Sequence, residues 1–319
     1  MTAEPLSREQ VVLVDGLRTP FCPSGAQLAH LNLQELGRPV LRELLERNDL
    51  DPRWVDQLFW GISLSNSAQI NPARAIGLRA GLPAAVPATT LQSGSGGGAA
   101  ALAASFREIM AGRANLVIAG GADFTTPQTA GRTRKLLRKF SARLRNPGGD
   151  GEMATDPKSC VEREAIRLGI TRQAQDQWVL GSQQRARSFS GRDLFREYIV
   201  PLFNARFPDK VFARDTVLES PLSEVDLATF SPLFDPRFGC ITAGNSARHS
   251  DGAAALMLAS RSFAEQKGLP IIAHFEDVAL DGGDRNSGLE GMVNALRKLL
   301  HGLSRNLTAV DLLEIHEET

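Results

Sequence analysis

Hydrophobic positions in the first part of the chain alternate between two periods. Val11–Asp15 (VVLVD) is a short, β-branched apolar run, the pattern of a buried strand. After the Pro/Gly loop Arg18–Gly25, the residues Leu33, Leu36, Val40 and Leu44 recur every three or four positions, marking one face of a helix. Pro39 is a misfit within that pattern and predicts a kink. Gln57–Ser63 and Pro87–Ser93 read as strands. Asn71–Gly81 (NPARAIGLRAG) predicts a short helix, with Pro72 in its first turn and Gly81 as its stop. Gly96–Gly112 is helical after its glycines, and Asn115–Gly121 (NLVIAGG) is a strand apolar on both faces. Strand and helix alternating over short connections predict an α/β fold, a mainly parallel sheet covered by helices.

From about Phe124 to Arg237 the strand pattern nearly vanishes, which reads as a long insertion folded over the sheet. Residues 131–149 hold seven basic residues and no acid (Arg132, Arg134, Lys135, Arg138, Lys139, Arg143, Arg145). A helix is expected around Arg172–Ser188. Alternation resumes at Gly239–Ser260. Pro270–Leu280 then opens a new strand, Met292–Leu303 is an amphipathic helix, and Val310–Thr319 reads as a strand.

Charge narrows the function classes. The chain has 319 residues, with 36 Lys+Arg against 36 Asp+Glu. A net charge of zero argues against a wholesale polyanion binder, and no nucleic-acid partner is expected. Cys22, Cys160 and Cys240 are few and far apart, with no disulfide framework or zinc-type pair, so a reducing, cytoplasmic setting is expected. The start MTAEPLSREQ lacks the apolar stretch of a signal peptide. No apolar run approaches the ~18 residues needed to span a bilayer.

The richest chemistry lies in Thr89–Ala104 (TTLQSGSGGGAAALAA), where a strand feeds a Gly-rich turn that opens a helix. Unpaired N–H groups at a helix start stabilise an oxyanion or phosphate. Four readings compete. Ser95 is a nucleophile on a strand–helix turn, although the G-x-S-x-G elbow is only partly matched because Ser93 takes its first position. Alternatively, Gly94, Gly96 and Ala99 satisfy a dinucleotide fingerprint, with Asp123 as the ribose partner. In the third reading Ser95 stands where an acyl-carrying Cys would stand. The fourth is a tight turn without chemistry.

Several short motifs bear on that choice: Arg18-Thr19-Pro20-Phe21, Asn71-Pro72-Ala73-Arg74, Gly81-Leu82-Pro83, Ala119-Gly120-Gly121-Ala122-Asp123, Thr242-Ala243-Gly244-Asn245 followed by Asp251-Gly252-Ala253-Ala254, and Glu314-Ile315-His316-Glu317. Together they resemble the thiolase family, CoA-dependent enzymes that cleave or form 3-ketoacyl-CoA. The resemblance covers the whole chain and is weakest from 126 to 232. His316 resembles the long-chain branch typified by the trifunctional-enzyme β subunit. Counting from the GLP turn, and back from Gly112 and Gly120-Gly121, the family's nucleophilic Cys position falls on Ser95. The family's base, a His in a GHP motif, and its second Cys, in a C-x-G motif, have no counterpart before Thr319. A serine hydroxyl is far less acidic than a thiol and needs a positioned base.

The resemblance implies two similar halves in α-β-α-β-α layers. Residues 1–125 and 233–265 would form the first half, 126–232 an inserted loop domain, and 266–319 an incomplete second half. It implies Ser95 and His316 in one cleft, with Ala243, Asn245 and Ser246 on its wall and Met153 over its mouth. The Ser95 and Gly96 N–H groups would point into that cleft. Coenzyme A or acyl-CoA is the implied substrate, with no tightly bound cofactor and no metal. Turnover would be impaired, or the chain would be a non-catalytic CoA-binding or structural subunit. A homodimer, or a complex with another thiolase-like or β-oxidation subunit, is implied. The basic run 131–149 would meet CoA phosphates or an anionic membrane surface.

Overall fold

The computed structural model describes residues 9–63, 70–124, 157–190, 195–204, 207–217, 219, 221–283 and 289–319. The chain divides into two compact units: Met1–Thr125, Phe195–Thr216 and Ser250–Val278 form the first, and Thr126–Leu194, Val217–His249 and Ala279–Thr319 the second.

The first unit is built on β1 (Val11–Arg18), β2 (Cys22–Pro23), α1 (Leu33–Arg47), β3 (Gln57–Ile62), α2 (Pro72–Ala80), β4 (Ala88–Gln92), α3 (Gly97–Met110), β5 (Leu116–Asp123), β6 (Leu202–Asn204), β7 (Phe207–Phe212), β8 (Ser250–Ser260) and β9 (Ala273–Phe275). The main sheet runs β4-β3-β5-β8-β1-β9, with β2 attached to β8. Strand β3 lies parallel to both β4 and β5, as expected. Strand β8 is antiparallel to β5 and β1, and β9 is antiparallel to β1, so the sheet is mixed rather than mainly parallel. Helical crossovers impose parallel pairing only where a strand–helix–strand unit closes on itself. β8 instead enters after a long excursion through the second unit. The strand expected at Pro270–Leu280 shortens to Ala273–Phe275 and extends this same sheet.

Local chemistry explains the helices. Asn32 caps α1 in a reciprocal capping box with Glu35. α1 runs on through Pro39, because Leu36, Val40, Leu41 and Leu44 are fully buried on one face and hold it to the sheet. Trp60 is completely buried, and a Cβ at Gly120 would lie 2.2 Å from its ring. The glycine is therefore fixed by the indole beneath it.

The second unit is mostly helical: α4 (Pro157–Arg167), α5 (Arg172–Ser190), α6 (Glu224–Thr229) and α7 (Glu290–Gly302). Its small core joins Ala165, Cys240 and Ile241 with Val161 and Phe234. α5 and α7 fall where periodicity put them, whereas α4, α6 and the β6–β7 hairpin carry no signal strong enough to read. Val310–Thr319 is not a strand, and Leu312 is 82% exposed. A strand needs an edge to pair with, and no strand of its own unit lies alongside it among the described residues. No helix among the described residues is long and apolar enough to cross a membrane.

Candidate active site

Ser95 stands where the C-terminal ends of three parallel strands meet a helix start, the usual crevice position in open α/β sheets. β4 ends at Gln92, a single 3-10 turn spans Gly94–Gly96, and α3 begins at Gly97. Gly94 has φ +54°, a left-handed conformation that suits glycine. A Cβ at Gly61 would lie 2.1 Å from the Gly97 carbonyl carbon, so the helix start rests directly on the β3 backbone. Gly94, Gly96 and Gly98 face open space instead. Ser95 is exposed and lines a cleft of about 450 Å³ that also holds Ser63, Asp123, Phe21, Ile62 and Leu102.

Contrary to the sequence expectation, the Gly96 N–H is not left for a ligand. The Gly96 N–H donates to the Ser93 carbonyl at 3.1 Å, because the 3-10 turn closes one residue earlier than an α-helical start would. Asp123 accepts from the Ser63 hydroxyl and, at 3.0 Å, from the Phe124 N–H. No histidine is among the described residues lining this cleft.

The TAGN segment and His316 belong to the second unit. The Asn245 side chain is buried and fully engaged. It accepts from Thr242 N–H at 2.7 Å and donates to Cys240 O at 2.9 Å and Asp176 Oδ1 at 3.0 Å. Ala243 is exposed, while Ser246 Oγ is shielded from solvent with no hydrogen-bond partner. The chain's last residues are tied to the same loop. Ala247 N–H donates to Glu318 O at 2.8 Å, Lys158 pairs with Glu318 at 3.4 Å, and Trp178 donates to Glu317 at 3.0 Å. His316 is exposed, with Nε2 3.2 Å from Glu318 Oε2. Met153 and the basic run 131–149 lie outside the described residues.

Residues 11–262 match the family model described as thiolase, N-terminal domain. The chain belongs to the thiolase family. It is 35% identical over 317 residues to an acetyl-CoA acetyltransferase of Chromobacterium violaceum, covering 97% of this chain and 81% of that one. It is 32% identical over 320 residues to a 3-ketoacyl-CoA thiolase of Pectobacterium carotovorum, with 97% and 80% covered. Its fold is similar to the crystal structure of the Bacillus anthracis acetyl-CoA acetyltransferase, with a TM-score of 0.84 and 28% identity over 98% of this chain and 80% of that one.

The thiolase motifs acquire physical reasons. Arg18 makes paired 2.7 Å bonds to Asp215, whose Oδ1 also accepts from Phe21 N–H. Thr19 exchanges backbone and side-chain bonds with Ala253, and the Phe21 ring occupies the space a Cβ at Gly252 would need. RTPF and DGAA are thus two sides of one joint. Asn71 caps α2 and accepts from Thr90 Oγ1 at 2.7 Å, while Arg74 donates to Val86 O and Ala84 O. No neighbouring sequence pattern marks Asp215. The thiolase assignment displaces the dinucleotide reading. In that fingerprint the last small residue packs helix against strand; here Gly97, outside the pattern, does so, and Ala99 is exposed.

Proposed function

We propose that this chain recognises acyl-CoA thioesters in the manner of thiolase-type acyltransferases, and that its acyl transfer is strongly impaired. The observation that carries the reading is Ser95, a hydroxyl at the helix-start position that the family fills with a thiol. The relatives' names, acetyl-CoA acetyltransferase and 3-ketoacyl-CoA thiolase, supply the substrate class. A serine requires a strong, aligned base. The carboxylate in its cleft, Asp123, is a weak base toward an aliphatic hydroxyl and already accepts from Ser63. Ser246, through its unpartnered hydroxyl, and Ala243, through its exposed surface, are the wall residues we assign to the CoA arm, and Met153 is assigned to the same arm by the family resemblance. Asn245 contributes by shaping that wall. His316 is assigned to holding a thioester oxygen, as the family resemblance implies. No tightly bound cofactor is invoked.

Ser95 also favours a second reading, a CoA-binding or structural subunit that assembles with an active thiolase-like or β-oxidation protein in the cytoplasm, with 131–149 touching an anionic membrane. Calorimetric titration with CoA and acetoacetyl-CoA tests the shared claim of recognition. Binding in the micromolar range, without CoA-dependent cleavage, is expected. Absence of binding by both ligands at millimolar concentration overturns it.

A further inference from the structure

We infer that Glu162 and Asp176 are positioning residues that clamp the Cys240–Ser246 loop at its two ends. The inference rests on the reading of that loop as the CoA wall. Glu162, on α4, is 4% exposed, and its Oε1 accepts from Cys240 N–H at 2.8 Å and Ile241 N–H at 3.0 Å. A Cβ at Gly239 would lie 2.9 Å from that same oxygen, so the chain reaches the clamp only through a glycine. This fixes the loop's entry.

The exit is held by a chain of charge-assisted bonds. Arg172, on α5, donates to the Leu227 carbonyl at 2.5 Å and the Phe230 carbonyl at 3.2 Å, at the end of α6. It also donates to Asp176 Oδ2 at 2.7 Å, one turn on. Asp176 Oδ1 then accepts from Asn245 Nδ2 at 3.0 Å. Between the clamps the loop binds itself, with Thr242 Oγ1 accepting from Gly244 and Asn245 N–H groups. Every polar group named here has a partner within the network. Ser246 Oγ, one residue past the second clamp, has none. The two carboxylates therefore take the Cys240 and Ile241 N–H groups and the Asn245 side-chain amide, and the Ser246 hydroxyl is left for a ligand. Buried Glu162 and partly buried Asp176 hold the loop's geometry because losing either leaves shielded N–H groups unmet.

The test uses the full chain with Glu162→Gln, Glu162→Ala, Asp176→Asn and Asp176→Ala. Hydrogen exchange is followed at the backbone N–H groups of Cys240 and Ile241 and at the side-chain Nδ2 of Asn245, and CoA binding by calorimetry. Glu162→Gln keeps the accepting oxygen and is expected to behave as wild type in both. Glu162→Ala should speed exchange at the Cys240 and Ile241 backbone N–H groups by about tenfold or more and weaken CoA binding, and Asp176→Ala should do the same at the Asn245 side-chain Nδ2. Asp176→Asn should fall between, since it loses the charge that holds Arg172. If Glu162→Ala does not fold, Glu162→Asp, which withdraws the oxygen by one carbon, takes its place. Unchanged exchange in the Ala variants, or Gln as damaging as Ala, overturns the inference. Wild type that fails to bind CoA overturns the proposed function instead, while the exchange measurements still decide the clamps.

Discussion

Arg18 and Asp215, 197 positions apart in the chain, face each other through two bonds of 2.7 Å. The pair is partly buried, and the Arg18 guanidinium also lies 4.9 Å from the Phe21 ring centroid. Asp215 therefore serves three groups: both prongs of Arg18 and the Phe21 N–H. Asp215→Ala should destabilise the chain by about 1–3 kcal/mol, the cost of leaving a charged group and an amide unmet. Asp215→Asn keeps an acceptor for Phe21 and should fall between. Urea unfolding midpoints check the order; an Ala variant with the wild-type midpoint contradicts it.

The first unit was legible because its signals are local. Val11–Asp15, Leu33–Leu44 and Asn115–Gly121 declare strand or helix from their own periodicity, and each is observed there. What escaped depends on distant partners. The antiparallel entry of β8 is decided by where the chain returns from. α4 hides because Pro157–Arg167 is rich in charge and has only a narrow apolar side. Val310–Thr319 has strand composition, but among the described residues no strand of its own unit pairs with it. At the candidate site, register alone singles out Ser95 in the sequence. The fate of the Gly96 N–H depends on the 3-10 turn, and no spacing rule distinguishes that turn from an α-helical start.

The glycines around Ser95 should separate on substitution. Gly61→Ala places a methyl 2.1 Å from the Gly97 backbone, which cannot rotate away as a side chain can. A loss of about 1–3 kcal/mol or more is expected from this overpacking. Gly98 sits inside α3 with nothing within 4 Å of a built Cβ. Gly98→Ala should raise stability by about 0.5–1 kcal/mol through helix propensity. Thermal melts of the two variants should move in opposite directions, and a shared direction defeats the assignment.

Acid should loosen the turn that leads into the Cys240–Ser246 loop. The Phe238 N–H, and after it the Arg237 N–H, hold the Asp235 carboxyl below the ordinary aspartate range. A carboxyl depressed on folding contributes stability that is complete above its unfolded value and lost as pH falls through its folded one. Solvent screens this exposed group, so the effect on global stability is small. The Asp235 carboxyl resonance should titrate below that of Asp235 in the unfolded chain. An equal or higher midpoint reverses the prediction.

Among the described residues β4 forms an edge of the main sheet, with only β3 beside it. Thr90 is occupied by Asn71 and the Ala73 N–H, whereas Thr89 and Gln92 are exposed. An open strand edge invites pairing with a second copy, and a homodimer through β4 is expected. Sedimentation should show dimer for wild type at micromolar concentration and a shift to monomer for Thr89→Lys. Wild type that sediments only as monomer removes this expectation.

Ser95→Cys is the sharpest trial of the chemistry. The substitution adds a nucleophile with an ordinary pKa of about 8.5, so a few per cent is thiolate at neutral pH, and the partly positive start of α3 favours that form. Ser95 is exposed, so the new sulfur should be alkylated by iodoacetamide faster than the buried Cys22, Cys160 and Cys240. Reactivity is not turnover, however. Thiolysis also needs a group that takes the proton from the incoming CoA thiol, and the described lining of the Ser95 cleft offers only Asp123, already bonded to Ser63. The variant should therefore accept acyl groups from acyl-CoA in a single stoichiometric burst, visible as a mass increase. It should then stall far below the typical range of about 1–10³ s⁻¹. Multiple turnovers from Ser95→Cys alone would show that a base, not a nucleophile, had been misplaced in this reading. His316 would then be the first residue to replace.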